Sequence, residues 1–434
     1  MEQLRAAFPR RRAAAAALAR LAKPSTVALL LACSASVATL APAQQPGAST
    51  PAPEVAAAPA QPAPAGFAAV FVQPKWSQDA VKDLLDAVDD SAKEGLTPAD
   101  YAPDTLRRLV ETDADQNAID AAATRTALML AHDYLLGRVG DKAQYQWFIE
   151  RSPYDTLALR GNLASAVERG DVRKWLTSLL PDNQQYRDLR DRLAATGPND
   201  TAERQMLRAN LERWRWMPRQ LGTDYVYVNV PAYQLALVDN GSAVAHYDVV
   251  VGKKDTPTPQ LAVEARSVVV NPWWTLPPSV IKEKGLSGSR RGGFVYSGGS
   301  LRQPPGPRNA LGRVKVDMPN EHAIYLHDTP AKGRFAEASR AFSHGCVRVK
   351  DIDSLAERIM EMGTGDPTRV DSALATTRTA TLKLPQGVPV YIVYFTAESN
   401  GAGGLVTHED PYGRDAQVIS ALDRPTQYAS LDLR

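Results

Sequence analysis

Apolar residues recur along this chain with two different periods, and the change between them divides it. From Trp76 to about Leu193 the spacing is three to four. Val81, Leu84, Leu85 and Val88 form one stripe, halted at Gly95, and Ala127, Leu128, Leu130, Ala131, Tyr134 and Leu135 form another that ends near Gly137. Ser165–Arg169 and Lys174–Leu180 continue in the same manner, so a small all-helical domain is expected. Leu207–Trp216, rich in Arg and Trp, predicts one more amphipathic helix closing at Met217-Pro218. Beyond it the period falls to two. Tyr225–Val230 alternates, and Tyr233–Val238 and Ala243–Val251 flank Asn240-Gly241, a pair suited to the positive φ angles of a tight hairpin turn. Further strands are expected at Ser267–Asn271, His322–His327 and Val388–Phe395. A helix carrying Ile352, Leu355, Ile359 and Met362 on one face should open at Asp351 or Asp353 and stop before Gly363. The fold class is α+β: a helical domain over 67–200, then a mainly-β domain over 201–434 with a core of about 222–398 and a C-terminal extension over 399–434.

The N-terminal region has a different pattern. Basic residues run to Lys23, an apolar stretch runs from Val27 through Leu40, and Ala41-Pro42-Ala43 follows. That order predicts an export signal over residues 1–43 and a periplasmic protein, anchored to the inner membrane if the leader is retained. Lipidation at Cys33 fits poorly, because the apolar run continues past it, and Arg10-Arg11-Arg12 leads only into alanines. Residues 44–66 are almost entirely Ala, Pro and Gln, the composition of a disordered, partly extended linker.

Charge changes the picture only when the leader is set aside. The formal net charge is +2, but residues 1–43 hold six basic groups against one acid, leaving 44 basic and 47 acidic groups in the remainder. No basic stripe with interleaved aromatics points to nucleic acid. Hydrophobic content of 44% and charged content of 23% are those of an ordinary globular chain.

One stretch concentrates chemistry: Ser343-His344-Gly345-Cys346-Val347-Arg348-Val349, preceded by Ile324-Tyr325-Leu326-His327. Apart from Cys33 in the leader, Cys346 is the only cysteine, so the exported chain has no partner for it. A free cysteine is ordinarily a small buried hydrophobe. The Ser-His-Gly neighbourhood is a poor core sequence, and a thiol beside imidazoles suits nucleophilic catalysis. Gly345 leaves room at the sulfur and lets backbone N–H groups converge on an oxyanion. His327, at the end of an expected strand, is assigned as general base in preference to His344, which is expected to shape the pocket or help hold the oxyanion. Tyr325 shares the His327 face by the two-residue period. The acceptor fixing the His327 tautomer is open; Asp328 is adjacent but should face the other way, making a backbone carbonyl at least as good a candidate. Arg348, two residues past the sulfur, is suited either to a substrate carboxylate or to a surface salt bridge, and Arg340 is a weaker alternative. His132 sits inside a helical stripe as a core or surface residue. His246, His322 and His408 are scattered without metal-ligand spacing, so no metal site is expected.

His327, a fifteen-residue spacer and Ser343-His344-Gly345-Cys346 resemble the signature of the L,D-transpeptidases, the YkuD-type peptidoglycan cross-linking enzymes. Asn210–Trp216, Asn271-Pro272-Trp273-Trp274, Arg302–Pro307, Ala310-Leu311-Gly312 and Tyr412-Gly413-Arg414-Asp415 resemble the large periplasmic branch of that family, whose scaffold domain the helical region also resembles. The resemblance implies attack by Cys346 on a stem tetrapeptide, release of D-alanine, and a 3→3 cross-link through a thioester. It also implies reaction of Cys346 with carbapenems and no metal or organic cofactor. Tyr325, Ser343, Arg348, Asn271 and Trp274 become expected substrate contacts. Peptidoglycan stems are the expected partners, with other cell-wall synthases as candidates.

Two departures from that branch stand out. Tyr186–Leu193 leads almost directly to Asn210–Trp216, where relatives carry a peptidoglycan-binding module, and the Pro278–Arg302 segment is short and glycine-rich where they carry a longer cap. Water could then replace the amine and make the chain an L,D-carboxypeptidase or amidase. A non-catalytic wall-binding protein is the alternative from another class, although both thiol and base are present.

Overall fold

The computed structural model describes residues 73–151, 158–283, 285–286, 293–401 and 403–425; the expected leader, Cys33 and the linker lie outside them. Helices cover Gln78–Asp90, Pro103–Glu111, Gln116–Leu136, Leu159–Arg169, Val172–Ser178, Gln184–Ala195 and Thr201–Trp216. The first begins where Ser77 accepts a hydrogen bond from the Ala80 N–H through its side chain. Its apolar positions Val81, Leu84 and Val88 are buried, and the chain turns away through Gly95 at φ 76°. Gly137, at φ 83° and ψ 155°, ends the Gln116–Leu136 helix in a conformation open to glycine. Among the described residues no helix is long and apolar enough to cross a membrane.

The Thr201–Trp216 helix departs from the amphipathic expectation: every residue from Ala209 to Trp216 is buried. Its charges are tolerated because each finds a partner. Glu212 accepts from Arg215 at 2.7 Å, from the Trp216 indole at 2.8 Å and from the Val139 N–H at 2.8 Å. Arg213 pairs with Asp415 at 2.5 Å, and Asn210 exchanges hydrogen bonds with Thr396. This helix therefore binds the helical layer to the β region. Trp214 stacks on Phe395 with centroids 4.7 Å apart, so the two regions share one core.

The main sheet runs in the order Gln260–Val270, Ala380–Val393, Tyr225–Asn229, Gln234–Asp239, Ser242–Gly252, Val347–Val349, Leu326–His327 and Val314–Asp317. Val314–Asp317 pairs back onto Gln260–Val270, closing the sheet on itself. Trp147–Phe148, from the helical region, adds in parallel to the edge of Gln260–Val270. The closed sheet encloses Val226, Val228, Leu235, Leu237, Val349 and the face of a helix carrying Leu355 and Ile359. Asn240 and Gly241 form the predicted turn at φ 49° and 75°.

Two elements differ from expectation. The strand foreseen over His322–His327 is only Leu326–His327, because Asn320 holds the preceding residues in a tight loop. The Ile352–Thr364 helix starts after Asp351 in a left-handed conformation (φ 53°), without a side-chain cap, and runs through Gly363. Gly363 serves close packing: a Cβ there would lie 2.6 Å from Leu384 Cδ2. The helix ends at Gly365, φ 73°.

Candidate active site

Cys346 is half-buried on the turn between two short strands, Ala341–Ser343 and Val347–Val349. The Ser343 hydroxyl holds the turn, donating to the Cys346 carbonyl at 2.6 Å and accepting from the Gly345 N–H at 3.1 Å. Gly345 has φ 112°, a backbone conformation that favours glycine, and a Cβ there would press on Ile324 Cδ1 at 3.3 Å. Its carbonyl is fixed from behind by the buried Thr258 hydroxyl at 2.7 Å. Thr258 is held by the Tyr412 hydroxyl, which accepts its N–H at 3.2 Å and donates to the Gly252 carbonyl at 2.7 Å. The motif around Tyr412 thus reaches the cysteine turn through one intermediary. A trans peptide sends its C=O and N–H in opposite directions, so this anchor turns the Cys346 N–H away from Thr258. That N–H has no partner among the described residues.

The thiol donates to the Ala323 carbonyl at 3.6 Å. Ala323 has φ 52° and sits in a loop stapled by Asn320. The Asn320 Nδ2 donates to the Met318 and Ile324 carbonyls at 2.6 and 2.8 Å, and its Oδ1 accepts the His322 and Ile324 N–H groups, each at 3.1 Å. His322 in turn packs on Phe148, centroids 4.2 Å apart, tying this loop to the edge strand from the helical region.

His327 is buried, and its Nδ1 lies 2.5 Å from the Asp328 backbone carbonyl. A carbonyl only accepts, so Nδ1 carries the proton and Nε2 keeps its lone pair. The Asp328 carboxylate faces elsewhere, accepting from Lys332 and from the Arg313 N–H. Burial, followed by the charge of Arg348, holds His327 down to about 3. Arg348 is its cross-strand partner. Burial likewise pushes the Cys346 thiol up, partly offset by the N–H and hydroxyl of Tyr325 and by the charges of Lys315 and Arg348. At neutral pH both groups are therefore uncharged. Tyr325 lies edge-on to His327, centroids 5.5 Å apart, with its hydroxyl between Trp274 and the sulfur.

Arg348 is half-buried and forms no salt bridge or hydrogen bond among the described residues; its Nε is buried without an acceptor. Arg340, the weaker alternative, is committed to the Tyr233 carbonyl at 3.0 Å and to Asp248 at 3.4 Å.

Of the sequence-predicted residues, Cys346, His327, Tyr325, Trp274 and Arg348 come together, and the others need correction. Ser343 is 2% exposed, with its hydroxyl engaged in the turn, so it shapes the site and does not face substrate. The Gly345 N–H is occupied by Ser343, leaving only the Cys346 N–H of that pair for an oxyanion. The His344 ring turns outward to Glu283 Oε2 at 2.6 Å, on the Pro278–Glu283 helix. Asn271, in a left-handed conformation (φ 47°), donates to the Thr376 and Arg378 carbonyls and fastens a loop instead of lining the site. His132 contacts Asp133, His408 contacts Glu398, and His246 lies on the Ser242–Gly252 strand, none of them around the sulfur. Thr258 and Asn320 were missed. Their only sequence signals are a threonine near Gly252 and an asparagine ahead of the Ile324–His327 run.

Residues 223–392 match the family model of the L,D-transpeptidase catalytic domain (YkuD), and residues 63–193 match that of the Scaffold domain. A Haemophilus influenzae protein described as "Putative L,D-transpeptidase" is 31% identical over 287 residues, covering 58% of this chain and 57% of its own length. The chain thus spans little more than half of that relative. A solved L,D-transpeptidase from Mycobacterium smegmatis is 12% identical, covering 39% of this chain and 58% of its own, with a TM-score of 0.22. L,D-transpeptidase 1 of Mycobacterium tuberculosis is 13% identical over 39% of this chain and 59% of its own, with a TM-score of 0.21. Overlaps that small add nothing to the assignment, which rests on the sequence matches. With the Cys346 turn and His327 inside the matched region, the chain carries an L,D-transpeptidase catalytic domain of the YkuD family behind a Scaffold domain.

Proposed function

We propose that this chain is a periplasmic peptidoglycan L,D-transpeptidase that forms 3→3 cross-links through a Cys346 thioester. The observation that carries the reading is an uncharged thiol and a neutral imidazole, its free nitrogen Nε2, on neighbouring strand ends with Tyr325 in contact with both. A buried pair of this kind transfers its proton during attack instead of resting as an ion pair. Sulfur attacks the carbonyl joining the third stem residue to the terminal D-alanine, and the thiol proton passes to His327 Nε2. The carbonyl electron pair moves onto oxygen, where the unpartnered Cys346 N–H is available. Collapse breaks the C–N bond, and the imidazolium returns its proton to the departing D-alanine amine. An amine of a second stem then attacks the thioester. Its proton passes through His327 to the leaving sulfur, so a new amide and a free thiol result.

Arg348, an unpaired guanidinium beside the thiol, is assigned to the donor carboxylate, because a buried cation without a partner is costly until an anion arrives. The proposal is tested by incubating purified protein with disaccharide-tetrapeptide and separating the products by mass. A tetrapeptide–tripeptide dimer is the expected product. Tripeptide alone would replace transfer by hydrolysis, and an unchanged substrate would remove the activity.

A further inference from the structure

A cavity of about 440 Å³ opens on the outer face of the closed sheet and shares no residue with the Cys346 site. Cross-strand register places Tyr227 opposite Ala236, Ala236 opposite His246, and Asn229 opposite Gln234. By the two-residue period these side chains share one face, while Val226, Val228, Leu235 and Leu237 fill the core on the other. An outward sheet face is usually open to solvent; this one is walled. Gln185, from the Gln184–Ala195 helix, donates to the Ser399 carbonyl at 2.9 Å and accepts its N–H at 2.6 Å. Asn229 and His408 both meet Glu398 Oε2, at 2.7 and 3.0 Å.

Those bonds fix the walls and leave a defined set of groups unspent. The Tyr227 hydroxyl, Glu398 Oε1 and the His246 ring have no protein partner among the described residues. Burial, with the Glu398 carboxylate second, pushes Tyr227 well above the ordinary phenol range, so its hydroxyl stays a donor. No lysine or arginine lines the cavity, which disfavours phosphate or carboxylate ligands. The Tyr227 ring and Val406, 42% exposed, supply apolar surface between the polar groups. The volume lies within the roughly 300–1,000 Å³ typical of small-ligand sites.

We propose that this cleft binds a short segment of uncharged amino-sugar glycan, through its hydroxyl and acetamido groups, and so holds the polymer whose stems the thiol processes. The inference rests on the proposed function for its choice of polymer, and the two fail separately because sugar binding and thiol acylation are read independently. Isothermal titration of tri-N-acetylchitotriose into the full chain should show saturable binding. Tyr227→Phe and His246→Ala should each weaken it about fivefold, the loss of one hydrogen bond, while Cys346 acylation by meropenem, followed by intact mass, is unchanged. His246 is exposed, so its variant tests the site even if Tyr227→Phe perturbs the fold. Absence of saturable sugar binding, or equal binding by both variants, overturns the proposal. So does binding of Nα-acetyl-lysine amide in place of the sugar, which would make Glu398 an amine site. A protein that acylates but ignores the sugar sinks only the cleft; one that binds the sugar without acylating supports the cleft and sinks the catalytic reading.

Discussion

Thr258 Oγ1 donates to the Gly345 carbonyl at 2.7 Å while accepting the Gly252 N–H at 2.8 Å, so one buried hydroxyl sets the peptide plane that precedes the nucleophile. Thr258→Val keeps the shape and removes both bonds, and a displaced buried hydrogen bond costs about 1–3 kcal/mol. Carbapenem acylation of Cys346 should slow about tenfold or more, with Thr258→Ser retaining most of the rate. Stopped-flow acylation, with thermal melts of each variant, separates this from general unfolding. An unchanged rate in Thr258→Val would remove Thr258 from the site.

The uncharged thiol and imidazole give a defined pH response. Because the Cys346 thiol lies above its ordinary value, the thiolate fraction, and with it the iodoacetamide alkylation rate, should keep rising beyond the normal cysteine range. No step should occur near pH 6.5, since His327 is held to about 3. A plateau at neutral pH would mean a resting ion pair instead. His327 also affects stability. The unfolded imidazole takes a proton below about 6.5 and the folded one only near 3, so its contribution is lost as pH falls across that interval.

Arg348→Met removes the unpartnered cation. If it receives the donor carboxylate, KM for a tetrapeptide donor should rise about tenfold or more, on the scale of one charge-assisted hydrogen bond, with a smaller effect on kcat. A donor ending in D-alanine amide should be insensitive to the substitution. Equal losses for both donors would count against a carboxylate contact.

Glu212 is buried with Arg215 and the Trp216 indole around it. Glu212→Ala strands the Arg215 charge and should cost about 3–5 kcal/mol in unfolding free energy, the range for breaking a buried pair. Urea denaturation measures this directly, and a loss below about 1 kcal/mol, the level of an exposed pair, would mean that water compensates Arg215.

The sequence carries what is local. The helical stripes follow from residue spacing, because neighbours three or four apart share a face, and the Asn240-Gly241 turn from its residue types. Cys346 and His327, distant in sequence, are brought near by parallel pairing of their strands. The roles of Ser343 and Asn271 were not legible, because each spends its polar group on backbone that the sequence does not mark. Thr258 acts on a residue 87 positions away and Asn229 on one 169 away, pairings set only by closure of the sheet. The buried charges of the Thr201–Trp216 helix resemble a solvated face until their partners Asp415 and Val139 are in place.

The central claim is tested most directly by trapping the acyl-enzyme. After brief incubation with disaccharide-tetrapeptide, wild-type protein should gain the mass of the disaccharide-tripeptide acyl group, mapped to Cys346, with D-alanine released in equal amount. Cys346→Ala should gain nothing and form no dimer. Cross-linked product from Cys346→Ala, or an adduct mapped to any other residue, would contradict the assignment of Cys346 as nucleophile.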